Sequence, residues 1–379
     1  MTKNCFLRKS CFADKAAGRR PLFLSRLLVS AILALSLILT GCGGGGMQER
    51  AQQPKAVIPP SAPVGSYGAP AVTGDYAGYA SLEQFIAEMV GKHGFAPDYL
   101  RGLFSQAQRK DWTLRYLAKS DKAIKGKPGA GGWTRYRAKF LDERHIAEGV
   151  AFSRRHSAAL LRASREYGVP KEYILAILGV ETSYGGFIGN HRVLDALTTL
   201  SFDYARRGDY FKSELENFLL MTRSEAIDPV EPVGSFAGAM GLGQFMPSSF
   251  LQLAVDFNGD GRCDLWNPED AIGSIANYFS HHGWRPGQPV VTPLSASRKV
   301  ALKTGLSQSY TLAELTQAGL RSVRPVTTEG PYYLIVLHHA GYDQYLIGHA
   351  DFYTITRYNH SVYYAMAIHE LAQAIRQRL

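Results

Sequence analysis

The feature that most constrains this chain is an uncharged apolar run, Leu27 to Thr40, placed directly behind a basic stretch. Lys3, Arg8, Lys9, Lys15, Arg19, Arg20 and Arg26 precede the end of that stretch, with Asp14 as its one acid. The run has 14 residues, short of the roughly 20 needed to span a bilayer. A basic segment followed by a short apolar stretch reads as a secretory signal, so the folded part of the chain begins beyond it. The charge balance follows. The 379-residue chain carries 42 Lys and Arg against 32 Asp and Glu, or +10. Residues 1–41 hold seven of the bases and one acid, which leaves 35 against 31, or +4. The apparent pull toward an anionic polymer is therefore mostly the leader's. No interleaved aromatic–basic pattern follows it, so nucleic acid is excluded as a partner. With 46% hydrophobic and 20% charged residues the chain is not a disordered one.

The apolar run closes on Leu39-Thr40-Gly41-Cys42, which resembles a bacterial lipobox. The resemblance implies lipidation at Cys42 and loss of residues 1–41. Gly43 rather than Asp after that cysteine points to an outer-membrane lipoprotein facing the periplasm. A plain signal peptide and an uncleaved anchor are the alternatives. Cys5 and Cys11 leave with the leader, so Cys263 remains as a single inert thiol and no intrachain disulfide forms. Residues 42–80 read as the lipidated cysteine and a flexible tether. From 43 onward they are rich in Gly, Pro and Ala, with four charges. Such a tether reaches about 35 Å r.m.s..

Folding is expected from Ser81, where Ser81 and Gln84 form a capping box ahead of Leu82, Phe85, Ile86, Met89 and Val90 at helical spacing. Further helices are expected near 142–167, closed by Gly168, and at 170–182, with Pro170 in the first position. Others follow near 209–225, 247–256 and 268–282, with a last one from Ser361 to Arg378. Residues 290–357 contain short β-rich runs, Tyr332–Leu337 and Phe352–Thr356. The fold class is mainly α, in the α+β sense. Its parts are an N-terminal helical region (81–141), a helical core (142–289), a small β-rich insertion (290–352) and a C-terminal helix completing the core (353–379).

The helix that begins at Pro170 carries an apolar stripe of Tyr173, Ile174, Ile177 and Leu178, and Glu181 continues it. Glu172 lies off the stripe and reads as a solvated surface residue. A carboxylate on a buried helix face loses hydration, so its pKa rises, which suits a general acid. The alternative is a glutamate satisfied by a buried hydrogen bond or ion pair. Thr182-Ser183-Tyr184-Gly185-Gly186 then ends the helix. A second segment, Ser235 to Phe250, is glycine-rich. It lacks a phosphate-loop lysine and does not follow a strand, so it is not a nucleotide site. Its glycines are expected to let the backbone approach a bulky ligand.

E-T-S-Y-G at 181–185, followed by G-A-M-G-L-G-Q-F-M-P-S-S-F at 238–250, resembles the lytic murein transglycosylases, in their membrane-bound B branch. W-T-R-Y-R-A-K-F at 133–140, F-D-Y-A-R-R at 202–207 and R-Y-N-H-S-V-Y-Y-A-M-A-I at 357–368 extend the resemblance from about residue 81 to the C-terminus. It implies a lysozyme-like core. It also implies cleavage of the β-1,4 bond between N-acetylmuramic acid and N-acetylglucosamine without water, giving 1,6-anhydromuramic ends. Glu181 would be the single acid and base, with no cofactor for the chemistry. Ordinary glycosidases need two carboxylates, and neither motif holds a second one; Asp195 and Asp203, the nearest downstream, read as structural. The glycan contacts that the resemblance carries over are Tyr136, Arg206, Arg207, Ser235, Gln244, Tyr278, Tyr358, Asn359 and Tyr364. Tyr184 joins them from within the catalytic motif. Taken singly, each tyrosine also reads as a core residue. Peptidoglycan strands and the outer membrane are the implied partners, and cell-wall synthesis proteins remain open. A hydrolytic muramidase and a non-catalytic, calcium-stabilised murein-binding lipoprotein are the competing readings.

Asp256, Asn258 and Asp260 occupy alternate positions of a D-x-N-x-D-G loop, with Gly261 for the turn and the Arg262 carbonyl next. This is the start of an EF-hand-like calcium loop. Asn267 stands where the closing glutamate belongs and reads instead as the cap of the helix beginning at Pro268. The resembling family closes a longer loop with the carboxylate matching Asp270. A structural Ca²⁺ is expected, and a metal-free Asx-rich turn is the alternative. The histidine pairs 281–282 and 338–339 form no metal pattern.

Overall fold

The computed structural model describes residues 62–123 and 129–379. The signal peptide, Cys42 and the first part of the expected tether lie outside the described residues. Among the described residues no helix is long and apolar enough to cross a membrane.

The folded body begins earlier than Ser81. Val72 and Tyr76 are buried, and Tyr76 packs edge-on against Tyr79 with ring centroids 5.2 Å apart. The expected tether therefore stops short of residue 80, because these side chains bury apolar surface against the helices that follow. A short 3₁₀ turn, Gly74–Tyr76, leads into α1 (Ala80–His93). Tyr79, not Ser81, is its N-cap, and no side chain caps it. The Tyr79 hydroxyl donates to Asp203 at 3.1 Å, and Gln84 turns to Glu88. The helix cap thus falls two residues before the expected one.

Next come α2 (Pro97–Phe104), α3 (Asp111–Ala123) and α4 (Gly132–Arg137). The helix expected over 142–167 is two, α5 (Glu143–Arg155) and α6 (Ser157–Tyr167), broken at His156, whose ring lies 4.4 Å from that of Phe152. Gly168 closes α6 in the left-handed conformation as expected. α7 (Lys171–Thr182) has Pro170 at its N-cap, one position outside the expected one. Every residue from Glu172 to Val180 is buried, so α7 has no solvated face. Glu172 is among them, facing Arg376 at 3.7 Å. Its expected exposure is wrong because a helix packed on α5, α6, α11 and α14 has no outside.

The short ribbon of β1 (His191–Arg192) and β2 (Val233–Gly234) brackets α8 (Val193–Asp203) and α9 (Gly208–Ser224). α10 (Pro247–Leu253) and α11 (Pro268–His281) flank the Asp256 loop. Asn267 caps α11, accepting from the Glu269 N–H at 2.8 Å.

The insertion is a five-stranded antiparallel sheet in the order β4-β6-β7-β3-β5. Its strands are β3 (Val291–Ala296), β4 (Ser309–Tyr310), β5 (Leu320–Ser322), β6 (Tyr332–His338) and β7 (Asp343–Gly348), with α12 (Leu312–Gln317) between β4 and β5. Alternation along β6 sends Ile335 and Leu337 into the main helical core. Tyr332 and Leu334 go into a second, smaller core with Ile347. The β6–β7 turn reaches α4, where the His339 carbonyl accepts from the Gly131 N–H at 2.9 Å.

Residues 352–356, expected as strand, lie in α13 (Ala350–Tyr358). Phe352, Ile355 and Tyr358 fall on one buried helical face. Thr354 donates to the Ala350 carbonyl, so this β-branched residue is accommodated inside the helix. α14 (Val362–Arg376), capped by Ser361, ends the fold.

Asp351, in the first turn of α13, is fully buried and accepts from the Arg285 N–H at 2.8 Å. Burial pushes its carboxyl up to about 7, against about 3.9 in an unfolded chain. Between these values the unfolded chain releases the proton that the folded one keeps. Asp351 therefore costs stability as pH rises from about 4 to 7. Thermal melts across that window are expected to fall less steeply for Asp351→Asn than for the native protein; parallel curves would contradict this.

Candidate active site

Glu181 sits in the last turn of α7, the first residue of that helix after Lys171 to leave the buried envelope. Ile174, Leu175, Ile177 and Leu178 are all 0% exposed, and each such side chain contributes about 1.5–3 kcal/mol. A single hydrogen bond contributes about 0.5–1.5 kcal/mol. Packing of α7, more than any polar contact, therefore sets where Glu181 stands. α14 supplies the polar contact: the wholly buried Tyr364 hydroxyl donates to Glu181 Oε1 at 2.6 Å.

Beyond Glu181 the chain reverses sharply. Ser183, Tyr184 and Gly185 take left-handed backbone at φ 50°, 58° and 92°. Thr182 pins this reversal. Its hydroxyl donates to the Leu242 carbonyl at 3.0 Å and accepts from the Gly185 N–H at 3.1 Å. The glycine-rich segment is thereby fastened to the end of the Glu181 helix. Gln244, 2% exposed, strengthens the fastening by donating to the carbonyls of Ile188 and Gly241 at 3.0 and 2.9 Å. The glycines themselves serve protein packing and not the expected ligand approach. A Cβ on Gly241 would lie 2.4 Å from that of Leu265, and one on Gly238 would meet Leu197 at the same distance.

Behind this segment, the Tyr358 hydroxyl donates to the Gly243 carbonyl and the Tyr278 hydroxyl to the Arg357 carbonyl at 2.7 Å. Burial pushes both phenols well up, and the charge of Glu181 adds to this, so both stay neutral donors.

In front of Glu181 opens a cavity of about 750 Å³. Glu181, Ser183, Ser235 and Gln244 are in its lining. Tyr136, Phe140, Lys139, Arg144, His145 and Glu148 supply one part of the wall; Trp112, Tyr116, His191 and Phe236 supply another. A partly exposed carboxyl group faces an aromatic-walled hollow, with a neutral phenol donating to one of its oxygens. This arrangement can hold a bulky polar ligand and pass one proton.

Residues 78–373 match the family described as Transglycosylase SLT domain. The chain belongs to that family. It is 47% identical over 305 residues to membrane-bound lytic murein transglycosylase B of Escherichia coli K12, covering 80% of this chain and 84% of that protein. The structure of the E. coli lytic transglycosylase Slt35 in complex with calcium superposes with a TM-score of 0.76 at 47% identity, over 81% of this chain and 96% of that one. SltB3 of Pseudomonas aeruginosa, in complex with NAG-anhNAM-pentapeptide, gives 0.65 at 27% identity, over 78% and 79%.

In this transglycosylase the expected site residues divide into three groups. Tyr136, Ser235 and Gln244 line the cavity with Glu181. Tyr364, Tyr278, Tyr358 and Asn359 are buried at 0, 8, 2 and 5% exposure; Tyr364 supports Glu181, and Tyr278 and Tyr358 support the surrounding backbone. Tyr184, Arg206 and Arg207 are outside the lining. Tyr184 turns into the core, where a Cβ on Gly149 or Gly179 would meet its hydroxyl at 2.5 and 2.6 Å. Two glycines in neighbouring helices make room for the ring, a match that the local motif does not reveal. Arg207 is the N-cap residue of α9 and stacks on Tyr210, its guanidinium carbon 4.3 Å from the ring centre. Asp195 and Asp203 are structural as expected: Asp195 pairs with Lys110 and Arg192, and Asp203 with Arg109. Sequence reading missed Trp112, Tyr116, His145, Glu148, His191 and Phe236. The i, i+4 pair Trp112 and Tyr116 was the one local signal available.

The Asp256 loop joins α10 to α11. Asp256 accepts from the N–H groups of Gly259, Asp260 and Gly261, and Asn258 and Asp260 present further oxygens. Asp270, 0% exposed, takes the N–H groups of Phe257, Asn258 and Asp264 and so closes the loop on its own backbone. Among the described residues no three His, Cys, Asp or Glu side chains gather to hold a metal by themselves. A cation here would also draw on the Asn258 amide and on backbone carbonyls such as that of Arg262. That all-oxygen set fits Ca²⁺.

Proposed function

We propose that the chain is a peptidoglycan lytic transglycosylase in which Glu181 is both acid and base. The observation that carries this reading is Glu181 held by Tyr364 at 2.6 Å in the lining of an aromatic-walled cavity. The protonated Glu181 carboxyl delivers its proton to the oxygen between N-acetylmuramic acid and N-acetylglucosamine, and the C1–O bond breaks. The resulting carboxylate takes the proton from the muramyl C6 hydroxyl while that oxygen bonds to C1. The proton returns to Glu181, no water is consumed, and the new end is 1,6-anhydromuramic acid. The neighbouring N-acetyl group stabilises the intermediate. Tyr364 donates to Glu181 Oε1 and holds the carboxyl group in place for both transfers.

Glu148 is a second carboxylate in the lining, ion-paired with Arg144 at 3.6 Å. It supports a hydrolytic alternative, since hydrolases work with two. A non-catalytic murein-binding lipoprotein is the third reading. Glu181→Gln is expected to abolish release of soluble fragments from purified sacculi while the protein still co-sediments with them. Tyr364→Phe is expected to lower kcat by about ten- to a hundredfold, the effect of one hydrogen bond to a charged group, with little change in melting temperature. Undiminished release by Glu181→Gln would sink the assignment, and a native protein that binds without releasing fragments would favour the binding module.

Lipidation of Cys42, an outer-membrane anchor facing the periplasm, and a tether reaching toward the murein layer complete the reading. The membrane-bound description of the E. coli relative supports it. Ca²⁺ is proposed as a structural ion held by Asp256, Asn258, Asp260 and the Arg262 carbonyl, with Asp270 closing the loop; the calcium complex of Slt35 supports this. The ion takes no part in proton transfer. Chelation is expected to lower the melting temperature of the native protein and to leave that of Asp256→Ala unchanged. A native melting curve indifferent to chelator would defeat the loop assignment.

A further inference from the structure

The positive charge left after the leader is not spread over the folded chain. Residues 42–379 carry 35 bases against 31 acids. Residues 271–328 alone carry six against one: Arg285, Arg298, Lys299, Lys303, Arg321 and Arg324 against Glu314. The rest is 29 against 30, so the whole excess belongs to this stretch. Four of the six cations lie along one margin of the β insertion. β5 is an edge strand, paired with β3 alone. Leu320 is buried in the smaller core, so Arg321 points to the opposite face, across from the exposed Ser295. Arg298 and Lys299 follow β3, and the Arg298 guanidinium donates to the Gln317 and Ala318 carbonyls just ahead of β5. Beyond β5 the Val323 N–H donates to the Pro293 carbonyl at 3.1 Å, and Arg324 comes next. From Ala318 to Arg324 this margin is about 20 Å long. All four cations are exposed. Among the described residues none of the four has a carboxylate within 4.0 Å, whereas Arg101, Arg109, Lys110 and Arg192 of the helical body each do. Val323, between Arg321 and Arg324, is 57% exposed. Charge on an edge strand also keeps sheets from pairing with one another. Either sign serves that purpose, and an exposed valine works against it. Cations alone around an open valine instead fit a partner that is anionic with an apolar layer beneath.

We propose that the β3–β5 margin docks on the surface of an anionic phospholipid bilayer. The guanidinium forks of Arg298, Arg321 and Arg324 match phosphate oxygens. Val323 enters the boundary between headgroups and acyl chains. A soluble anionic polymer, such as a stem peptide, would satisfy the cations and leave the valine without a role. Each cation held at such a surface strengthens binding by about fivefold, and salt weakens the attraction. The contact is therefore reversible. It adds an orientation to the proposed lipid at Cys42: the tether limits how far the folded body strays, and the margin decides which side of it meets the membrane. No residue of the insertion is in the lining of the Glu181 cavity, so the docking surface is separate from the reactive one. The proposal does not depend on the lytic reading.

The test uses the chain from residue 42 onward carrying Cys42→Ser, which has no lipid of its own. Residues 60–379 lie in one compact unit, so the folded body is kept whole. Co-sedimentation is measured with vesicles of phosphatidylcholine alone and of phosphatidylcholine with about 30% phosphatidylglycerol. Binding is expected only to the anionic vesicles, and to fall at least tenfold between about 50 and 500 mM salt. Replacing two cations of the margin, Arg321→Gln with Arg324→Gln, is expected to weaken it about twentyfold. The same loss of charge on the helical body, Arg154→Gln with Arg165→Gln, is expected to weaken it less than about threefold. Val323→Asp is expected to weaken it further than Val323→Leu, which keeps the apolar side chain. Equal binding to both kinds of vesicle, or equal weakening by the two charge-matched pairs, would overturn the proposal. So would a margin that governs binding to purified sacculi and not to vesicles, since the partner would then be the murein polymer. Fragment release from sacculi is expected to be unchanged by Arg321→Gln with Arg324→Gln, which also shows that the variant is folded; a parallel loss of release would place these residues in substrate binding and contradict a separate surface.

Discussion

Everything at the site depends on a helix that has no outside. α7 is buried from Glu172 to Val180, and four of its aliphatic side chains are wholly enclosed. Such a helix cannot turn or slide without opening cavities around it, and each would cost several kcal/mol. Glu181 emerges where that enclosure stops, so the position of the carboxyl is inherited from the packing behind it. Tyr364 refines the position but does not create it. The preorganisation that the proposed proton donor needs thus comes from apolar burial, the largest favourable contribution to folding.

The second constraint is the close approach between the end of α7 and the glycine-rich segment. Thr182 reaches Leu242, Gln244 reaches Ile188, and Tyr358 reaches Gly243. Gly238 and Gly241 let neighbouring side chains and backbone come closer than any Cβ would permit. The result is a rigid floor under the cavity, with aromatic walls supplied from α3, α4 and the β1–β2 ribbon. The β-sheet insertion contributes at a distance: its β6–β7 turn fixes the start of α4, which carries Tyr136.

Much of this was legible because its signals are local. The apolar pattern of α7 with Glu181 at its end, the Asn267 cap of α11 and the left-handed Gly168 could all be read from neighbours in sequence. So could the alternating oxygens of the Asp256 loop. What failed depends on partners far along the chain. Glu172 seemed exposed until α14 was placed over it. Tyr184 seemed to face the cavity until Gly149 and Gly179 opened a space for it in the core. Residues 352–356 looked like strand from their β-branched content, yet the burial of Phe352, Ile355 and Tyr358 on one face made them helix. The far wall of the cavity escaped for the same reason, since Trp112, His191 and Phe236 meet only after folding.

In the proposed reaction one carboxyl group moves one proton out and back, and the attacking oxygen belongs to the sugar. Digestion of purified sacculi in water labelled with heavy oxygen, followed by mass measurement of the released fragments, tests this directly. Anhydro ends, lighter by one water than reducing ends and free of label, are expected. Reducing ends carrying one labelled oxygen would contradict it and assign the nucleophile to water, with Glu148 as the second carboxylate to examine.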